Sequence, residues 1–226
     1  VGKLIAFVAH ARRSVYNHFY SRQVLDMQIF QYGDTEINWL SKRDKRLAQA
    51  IEQIGRIERA TMPDLFPALI RCIVDQQIST AAARTVNARI LQLCGGQLTA
   101  DSLLAAGAQD LQRCGTSMKK VQYMLGVAEA VKSGQLDLTA IATMDDAQVI
   151  QTLTGLKGIG VWTAEMLMIF SLGRPDVLSW GDLAIQRGIM RLYRHKTLPR
   201  ERFERYRRRY SPYCSTASLY LWALSK

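Results

Sequence analysis

Histidine is nearly missing from this chain of 226 residues: His10, His18 and His195 are the three, and none has a Cys, Asp or Glu beside it at ligand spacing. No catalytic metal is therefore expected. Cysteine is almost as scarce, and Cys72, Cys94, Cys114 and Cys214 lie 20 or more residues apart. Three of them fall in segments that read as helices, where a reduced thiol acts as a small apolar filler, so disulfides are not expected. Long apolar runs are absent too. None approaches the roughly 18 residues of a membrane span, and residues 4–8 are too short for a secretory signal core. No stretch alternates as a half-buried strand would.

Acidic residues are in deficit, 19 against 30 basic ones, which leaves a formal charge of +11. That balance disfavours an acidic small molecule as partner and fits nucleic acid or an anionic membrane surface. With no span or signal in view, a cytoplasmic location is expected. The length suits one large domain or two small ones and excludes an assembly of many modules.

What is present is helical periodicity. Residues 44–57 place Leu47, Ile51 and Ile54 on one face. Asp64 precedes a helix carrying Leu65, Leu69, Ile70, Ile73 and Val74, which ends near Gln76-Gln77; Ser79 then caps residues 80–93, and Gly95-Gly96 stop them. Helices also read over 101–111, 118–132, 183–193, 200–210 and 216–224. The class is all-α, with about ten helices joined by short connections.

The most informative stretch is residues 153–182. A helical segment with Asp146, Val149, Ile150 and Leu153 runs into Leu156-Lys157-Gly158-Ile159-Gly160, and a second helix follows over 161–172, apolar nearly all round and so expected to be buried. Two glycines one residue apart turn the chain sharply and leave N–H groups open at the second helix's N-terminus, where the dipole is positive. Such a turn suits an anion; an ordinary helical hairpin is the equal alternative on spacing alone. Asp182, just before residues 183–193, reads first as a helix N-cap.

Gly158-Ile159-Gly160-Val161-Trp162-Thr163-Ala164, with Asp182 twenty-four residues after Gly158 and Gln76-Gln77-Ile78-Ser79 upstream, resembles the helix-hairpin-helix, Gly/Pro-rich, aspartate (HhH-GPD) superfamily of DNA base-excision glycosylases, in particular its 3-methyladenine DNA glycosylase II branch. The resemblance starts near Phe30. It implies a two-lobed helical fold: a six-helix bundle over 63–172 containing the hairpin, a second lobe from residues 25–62 plus 173–226, and the active site in the cleft between. Residues 1–24 stand outside it, read either as a helical extension or as an artefact of start-site choice with Met27 the true start.

The resemblance also implies roles. Asp182 becomes the catalytic carboxylate, which stabilises positive charge building on the sugar and holds water for attack. At ~4 Å and an effective dielectric of about 20 that attraction is roughly 4 kcal/mol, about three decades in rate. Trp162 occupies the position where lyase-type relatives carry the Schiff-base lysine, so hydrolysis without strand nicking is expected. Trp162, Met166 and Tyr213 become walls of the base pocket, where an electron-rich ring suits a cationic alkylpurine; a core role for Trp162 is the alternative. Cys214 stands where the related Pro-Trp-Arg-Ser segment has arginine. Gln77 becomes the residue that fills the gap left by the flipped nucleotide, next to Gln76 and Ser79, though Gln-Gln at a helix end is otherwise solvated filler.

Lys120, in Ser117-x-x-Lys120-x-x-Tyr123, and Lys157 become phosphate contacts together with the amides of Gly158 and Gly160; a Lys pair such as Lys119-Lys120 is more commonly just solvated. The basic run over 200–209 reads as a surface helix that adds to the field. Relatives with an iron–sulfur cluster use four cysteines in a tight C-terminal run, and only Cys214 lies there, so no cofactor is expected beyond a structural monovalent cation on the carbonyls of Thr154, Leu156 and Ile159. The implied activity is excision of alkylated purines of the 3-methyladenine and 7-methylguanine type from double-stranded DNA, first in base-excision repair. The implied enzyme is a monomer at the nucleoid or in the nucleus. Alternatives are a glycosylase for hypoxanthine or an oxidised base, and a non-catalytic DNA-binding module.

Overall fold

The computed structural model describes residues 28–226; the extension expected over 1–24 and Met27 lie outside them. All regular structure among the described residues is helical, apart from an isolated antiparallel bridge between Ile29 and Ala60. Thirteen helices follow in order: α1 (Asp34–Arg43), α2 (Lys45–Ile54), α3 (Leu65–Asp75), α4 (Thr80–Leu93), α5 (Ala100–Ala106), α6 (Ala108–Arg113), α7 (Met118–Lys132), α8 (Leu138–Thr143), α9 (Asp146–Thr154), α10 (Val161–Phe170), α11 (Leu183–Tyr193), α12 (Arg200–Tyr210) and α13 (Cys214–Leu224).

The count exceeds the ten expected, and the segment expected to hold six helices holds eight, for local reasons. Asp34–Arg43, ahead of the helix expected over 44–57, forms α1, and extended Asp44 (φ −145°, ψ 101°) divides it from α2. Gly107, at φ +75°, divides the single helix expected over 101–111 into α5 and α6. The short α8 is capped by Asp137, whose carboxylate accepts from the amides of Thr139 and Ala140. Elsewhere the caps read at Ser79 and Asp182 accept backbone N–H groups in the first turn of the following helix, and Asp64 and Ser117 do the same.

The closest helix packings fall into two sets. One joins α3, α4, α5, α6, α7, α9 and α10; the other joins α1, α2, α11, α12 and α13. In the second set α11 and α13 approach backbone to backbone, because a Cβ on Gly188 would lie 2.1 Å from the Leu221 carbonyl oxygen. Between the sets, the Met62 amide donates to the Phe170 carbonyl at 2.8 Å and the rings of Phe170 and Trp222 stack at 5.6 Å. The cut between them leaves the N-terminal ends of α10 and α11 side by side.

The corner between α1 and α2 is fixed by Asp44, 4% exposed. Its Oδ1 accepts the amides of Arg46 and Leu47, and its Oδ2 accepts the Tyr193 hydroxyl and, at 2.7 Å, Nη1 of Arg209. Burial alone would raise this carboxyl, but the Tyr193 hydroxyl, the Leu47 amide and the Arg209 guanidinium outweigh it and hold it below the usual range. A depressed carboxylate stabilises the fold above its unfolded pKa and ceases to do so as pH falls through its folded one. Asp44→Asn is therefore expected to lower urea-measured stability by about 2 kcal/mol at pH 7, with the gap to wild type closing in acid. A gap independent of pH would contradict this account of Asp44.

Candidate active site

The hairpin between α9 and α10 is held from two sides. Gly158 sits at φ +89°, and a Cβ there would fall 2.3 Å from Cδ2 of Tyr123, so the turn lies flat on that ring. Opposite, Gln76 Nε2 donates to the Gly158 carbonyl at 2.8 Å. Lys120 Nζ donates to the carbonyls of Val74 and Gln76, at 2.8 and 2.6 Å, closing the C-terminal end of α3 onto α7. Desolvation, opposed by Asp75, lowers the Lys120 pKa.

Gln76 and Lys120, expected as DNA contacts, each spend donors inside the protein, one N–H of Gln76 and two of Lys120. These bonds brace the hairpin from within. The reason is tertiary: only when α3, α7 and the hairpin meet do these side chains find carbonyls within reach.

The outer face of the hairpin is open. Lys157 and Gly160 are exposed, and no atom lies within 4 Å of where a Gly160 Cβ would be. Gly160 is the N-cap of α10 and supplies no side-chain cap, unlike the Asp or Ser before α3, α4, α7 and α11. The first N–H groups of α10 are therefore left for an outside acceptor. In the same turn the Leu156 carbonyl accepts the Ile159 amide at 3.1 Å. A carbonyl oxygen has two lone pairs, so the cation expected on Thr154, Leu156 and Ile159 remains compatible with this turn.

Next to the hairpin, Gln77 and Ile78 protrude between α3 and α4, and Ser79 caps α4 through the Ala82 amide at 3.3 Å. Gln77 has φ +54°, an uncommon state for a non-glycine residue that costs about 1 kcal/mol and presents its side chain outward.

Asp182 lies where α10, α11 and α13 converge. Oδ1 accepts the amides of Ala184 and Ile185, at 2.8 and 3.0 Å, as the cap of α11. Oδ2 accepts the indole N–H of Trp162 at 3.0 Å and that of Trp222 at 3.1 Å. All four are N–H donors, a set matched to an ionised carboxylate. Asp182 is 7% exposed, whereas Trp162, Val161 and Leu183 around it are 43%, 52% and 66% exposed. The carboxylate is thus nearly covered, while the apolar residues next to it and to its indole donor stand open to solvent.

That exposure corrects the expectation that the helix from Val161 would be buried all round: its first turn opens to solvent, and burial begins at Thr163. It also disposes of the core alternative for Trp162. Met166, one turn further along α10, is buried, at 9% exposed. Tyr213 packs edge-on against Trp39 at 5.9 Å, and Trp39 donates its indole N–H to the Ser211 carbonyl. Cys214 is fully buried, with its thiol directed at the Arg207 carbonyl, and burial with neighbouring Asp176 pushes that thiol far up. Asp176 is satisfied by the Ser211 hydroxyl at 2.7 Å and the Cys214 amide at 3.4 Å. Arginine's absence at this position leaves no unpaired carboxylate.

Two residues of the site escaped the sequence. Trp222 read only as part of an apolar helix, although a buried-side indole N–H wants an acceptor. Glu165, one turn from Trp162, accepts a short hydrogen bond from the Ser179 hydroxyl, anchoring the 177–182 segment on α10. Desolvation raises the Glu165 pKa; Ser179, Arg200 and Arg207 oppose the rise, and Asp182 adds to it.

A family model described as HhH-GPD superfamily base excision DNA repair protein matches residues 70–212. The chain belongs to this family. Among HhH-GPD structures it is similar to a DNA-3-methyladenine glycosidase from Bacillus halodurans, with 39% identity, 88% of this chain and 93% of that one covered, and a TM-score of 0.79. It is also similar to the Schizosaccharomyces pombe 3-methyladenine DNA glycosylase in complex with abasic DNA, with 29% identity, 83% and 95% coverage and a TM-score of 0.75. By sequence it is 29% identical to DNA-3-methyladenine glycosylase 2 of Escherichia coli over 70% of this chain and 57% of that protein.

The hairpin geometry yields a test independent of chemistry. Gly158→Ala must both displace the Tyr123 ring and adopt a disfavoured φ, so duplex affinity is expected to fall at least tenfold by fluorescence anisotropy, with the helical circular dichroism retained. Unchanged affinity would show that this turn does not contact the strand.

Proposed function

We propose that the protein is a monofunctional DNA glycosylase that hydrolyses the N-glycosidic bond of alkylated purines of the 3-methyladenine and 7-methylguanine type, as the first step of base-excision repair. The observation that carries this reading is the Asp182 carboxylate, held by four N–H donors beside the exposed face of Trp162. The family membership and the names of the relatives support it.

In this reading the two helix sets are the two lobes, 63–172 and 25–62 with 173–226, and a damaged duplex lies across the cut between them. Gly158 and Gly160 present amides to a strand phosphate, with Lys157 beside them. A monovalent cation on the carbonyls of Thr154, Leu156 and Ile159 would add positive charge there. Gln77 enters the stack as the lesion leaves it, and Ser79 holds the base of that turn. Trp162, Met166 and Tyr213 line the side that receives the base, with the Trp162 ring against a cationic purine.

The bond between C1′ and the base nitrogen breaks, and its electron pair leaves with the base. A cationic alkylpurine departs neutral and needs no proton from the protein, which suits a site built around one carboxylate. Asp182 stabilises the charge that develops on the sugar, and water adds at C1′, releasing one proton to solvent and leaving an abasic site. No amine stands at position 162, and Lys120 is occupied by two carbonyls. The enzyme acts as a monomer, in the cytoplasm at the nucleoid or in the nucleus; no helix among the described residues is long and apolar enough to cross a membrane.

Asp182→Asn keeps the cap acceptor and removes the charge. Base release from a methylated duplex is expected to fall about a thousandfold with DNA affinity near wild type, and the melting temperature to drop by a few degrees, because the Asn amide NH2 faces the two indole donors that Oδ2 accepted. Release within a few-fold of wild type would remove Asp182 from catalysis. Wild type that binds duplex yet frees no alkylated base would be a binding module instead. Borohydride added during turnover is expected to trap no protein–DNA adduct; a trapped adduct would refute the hydrolytic route.

A further inference from the structure

At the end of α11 remote from Asp182 lies an open cleft of about 540 Å³. Eleven helical residues at ~1.5 Å each set it about 16 Å from the catalytic carboxylate. Its walls bring Arg43, Lys45 and Arg46 from the α1–α2 corner to face Arg209 of α12 across the rings of Tyr193 and Tyr206.

The one carboxylate here, Asp44, is buried and fully committed to two amides, a hydroxyl and Arg209. Lys45 and Arg46 are exposed, and among the described residues neither forms an ion pair. Arg43 lies 4.2 Å over the Trp39 ring and Arg46 5.8 Å over that of Tyr193, contacts that orient the guanidinium groups without neutralising them. The floor is rigid: Tyr193 and Tyr206 stack at 4.2 Å and His195 Nε2 pairs with the Tyr206 hydroxyl at 2.7 Å. The crowding of cations is felt there, since after desolvation it is Arg202 and Arg46 that lower the His195 pKa. Asp44 answers the charge of Arg209 alone, so Arg43, Lys45 and Arg46 on this fixed floor are left without a carboxylate and call for an anion from outside.

We propose that this cleft is a second phosphodiester-binding site, which grips the DNA backbone about five base pairs from the lesion. It rests on the glycosylase reading only in taking DNA as the partner. The hairpin and Asp182 act at the lesion, and Lys45 and Arg46 hold the flank. The phosphodiester comes from the same duplex or from a second one, and the measurement separates the two.

The test compares wild type with the double variant Lys45→Gln and Arg46→Gln, whose side chains take no part in the Asp44 cap. Affinity for undamaged and lesion-bearing duplexes is measured across a salt series, using long duplexes and duplexes trimmed to about three base pairs on either side of the lesion. The log–log salt slope on long duplex is expected to shallow by about 1.8, two neutralised phosphates at ~0.9 each, and to stay unchanged on trimmed duplex. Base release from the saturated complex is expected to stay at the wild-type rate. If the slope shallows only under conditions where sedimentation shows two duplexes per protein, and that second duplex is lost in the variant, the site stands and its source is a second duplex. An unchanged slope on long duplex, or equal shallowing on trimmed duplex, overturns the site while leaving the glycosylase reading intact. Wild type without affinity for any duplex would overturn that reading instead.

Discussion

Four N–H groups from three helices meet on the carboxylate of Asp182, and the arrangement of the rest of the molecule follows from that meeting. Two of the donors belong to the helix that the residue caps, so the carboxylate is fixed relative to α11. The other two are indoles on α10 and α13, which bring the end of the hairpin helix and the C-terminal helix to the same oxygen. The carboxylate is thereby oriented before any substrate arrives, which is what electrostatic stabilisation of a developing cation requires. The backbone-to-backbone approach of α11 and α13 at Gly188, and the Ser179–Glu165 bond that ties the preceding segment to α10, hold the helices that supply these donors.

The hairpin is built on the opposite principle, with its inner face braced and its outer face left bare. Tyr123 and Gln76 occupy the inside of Gly158, whereas Gly160 opens α10 without a capping side chain. In the proposed function a strand phosphate completes what the fold leaves unfinished. Trp162, in the first turn of α10 directly after this hairpin, donates to Asp182 at 3.0 Å, so turn and carboxylate are held at a fixed separation, which in the proposed function sets where a flipped nucleotide's sugar stands.

What the sequence made legible was local in origin. Asp182 as a cap, the turn at Gly158, the helix opening after Asp64 and the cap at Ser79 each depend on a few adjacent residues, and each is found where it was read. The all-α class followed from periodicity in the same way. The helix count fell short because Asp34–Arg43 and Leu138–Thr143 are short and carry little apolar periodicity, and because Gly107 interrupts a pattern that continues across it. Trp222 was invisible because its partner lies 40 residues away, and the bracing bonds of Gln76 and Lys120 were invisible because their carbonyl partners appear only once α3, α7 and the hairpin assemble. Trp162 was the instructive ambiguity: an apolar helix implies burial, but at that helix's first turn the ring stands in solvent with its N–H on Asp182.

The central claim is that the Asp182 charge recognises positive charge on the everted sugar. The most direct measurement compares the affinity of wild type and Asp182→Asn for two duplexes, one carrying a cationic pyrrolidine and the other a neutral tetrahydrofuran in place of the lesion nucleoside. Wild type is predicted to prefer the cation by two to three decades, about 3 to 4 kcal/mol, and the variant to lose that preference while binding the neutral duplex as before. An equal preference in both proteins would contradict the account.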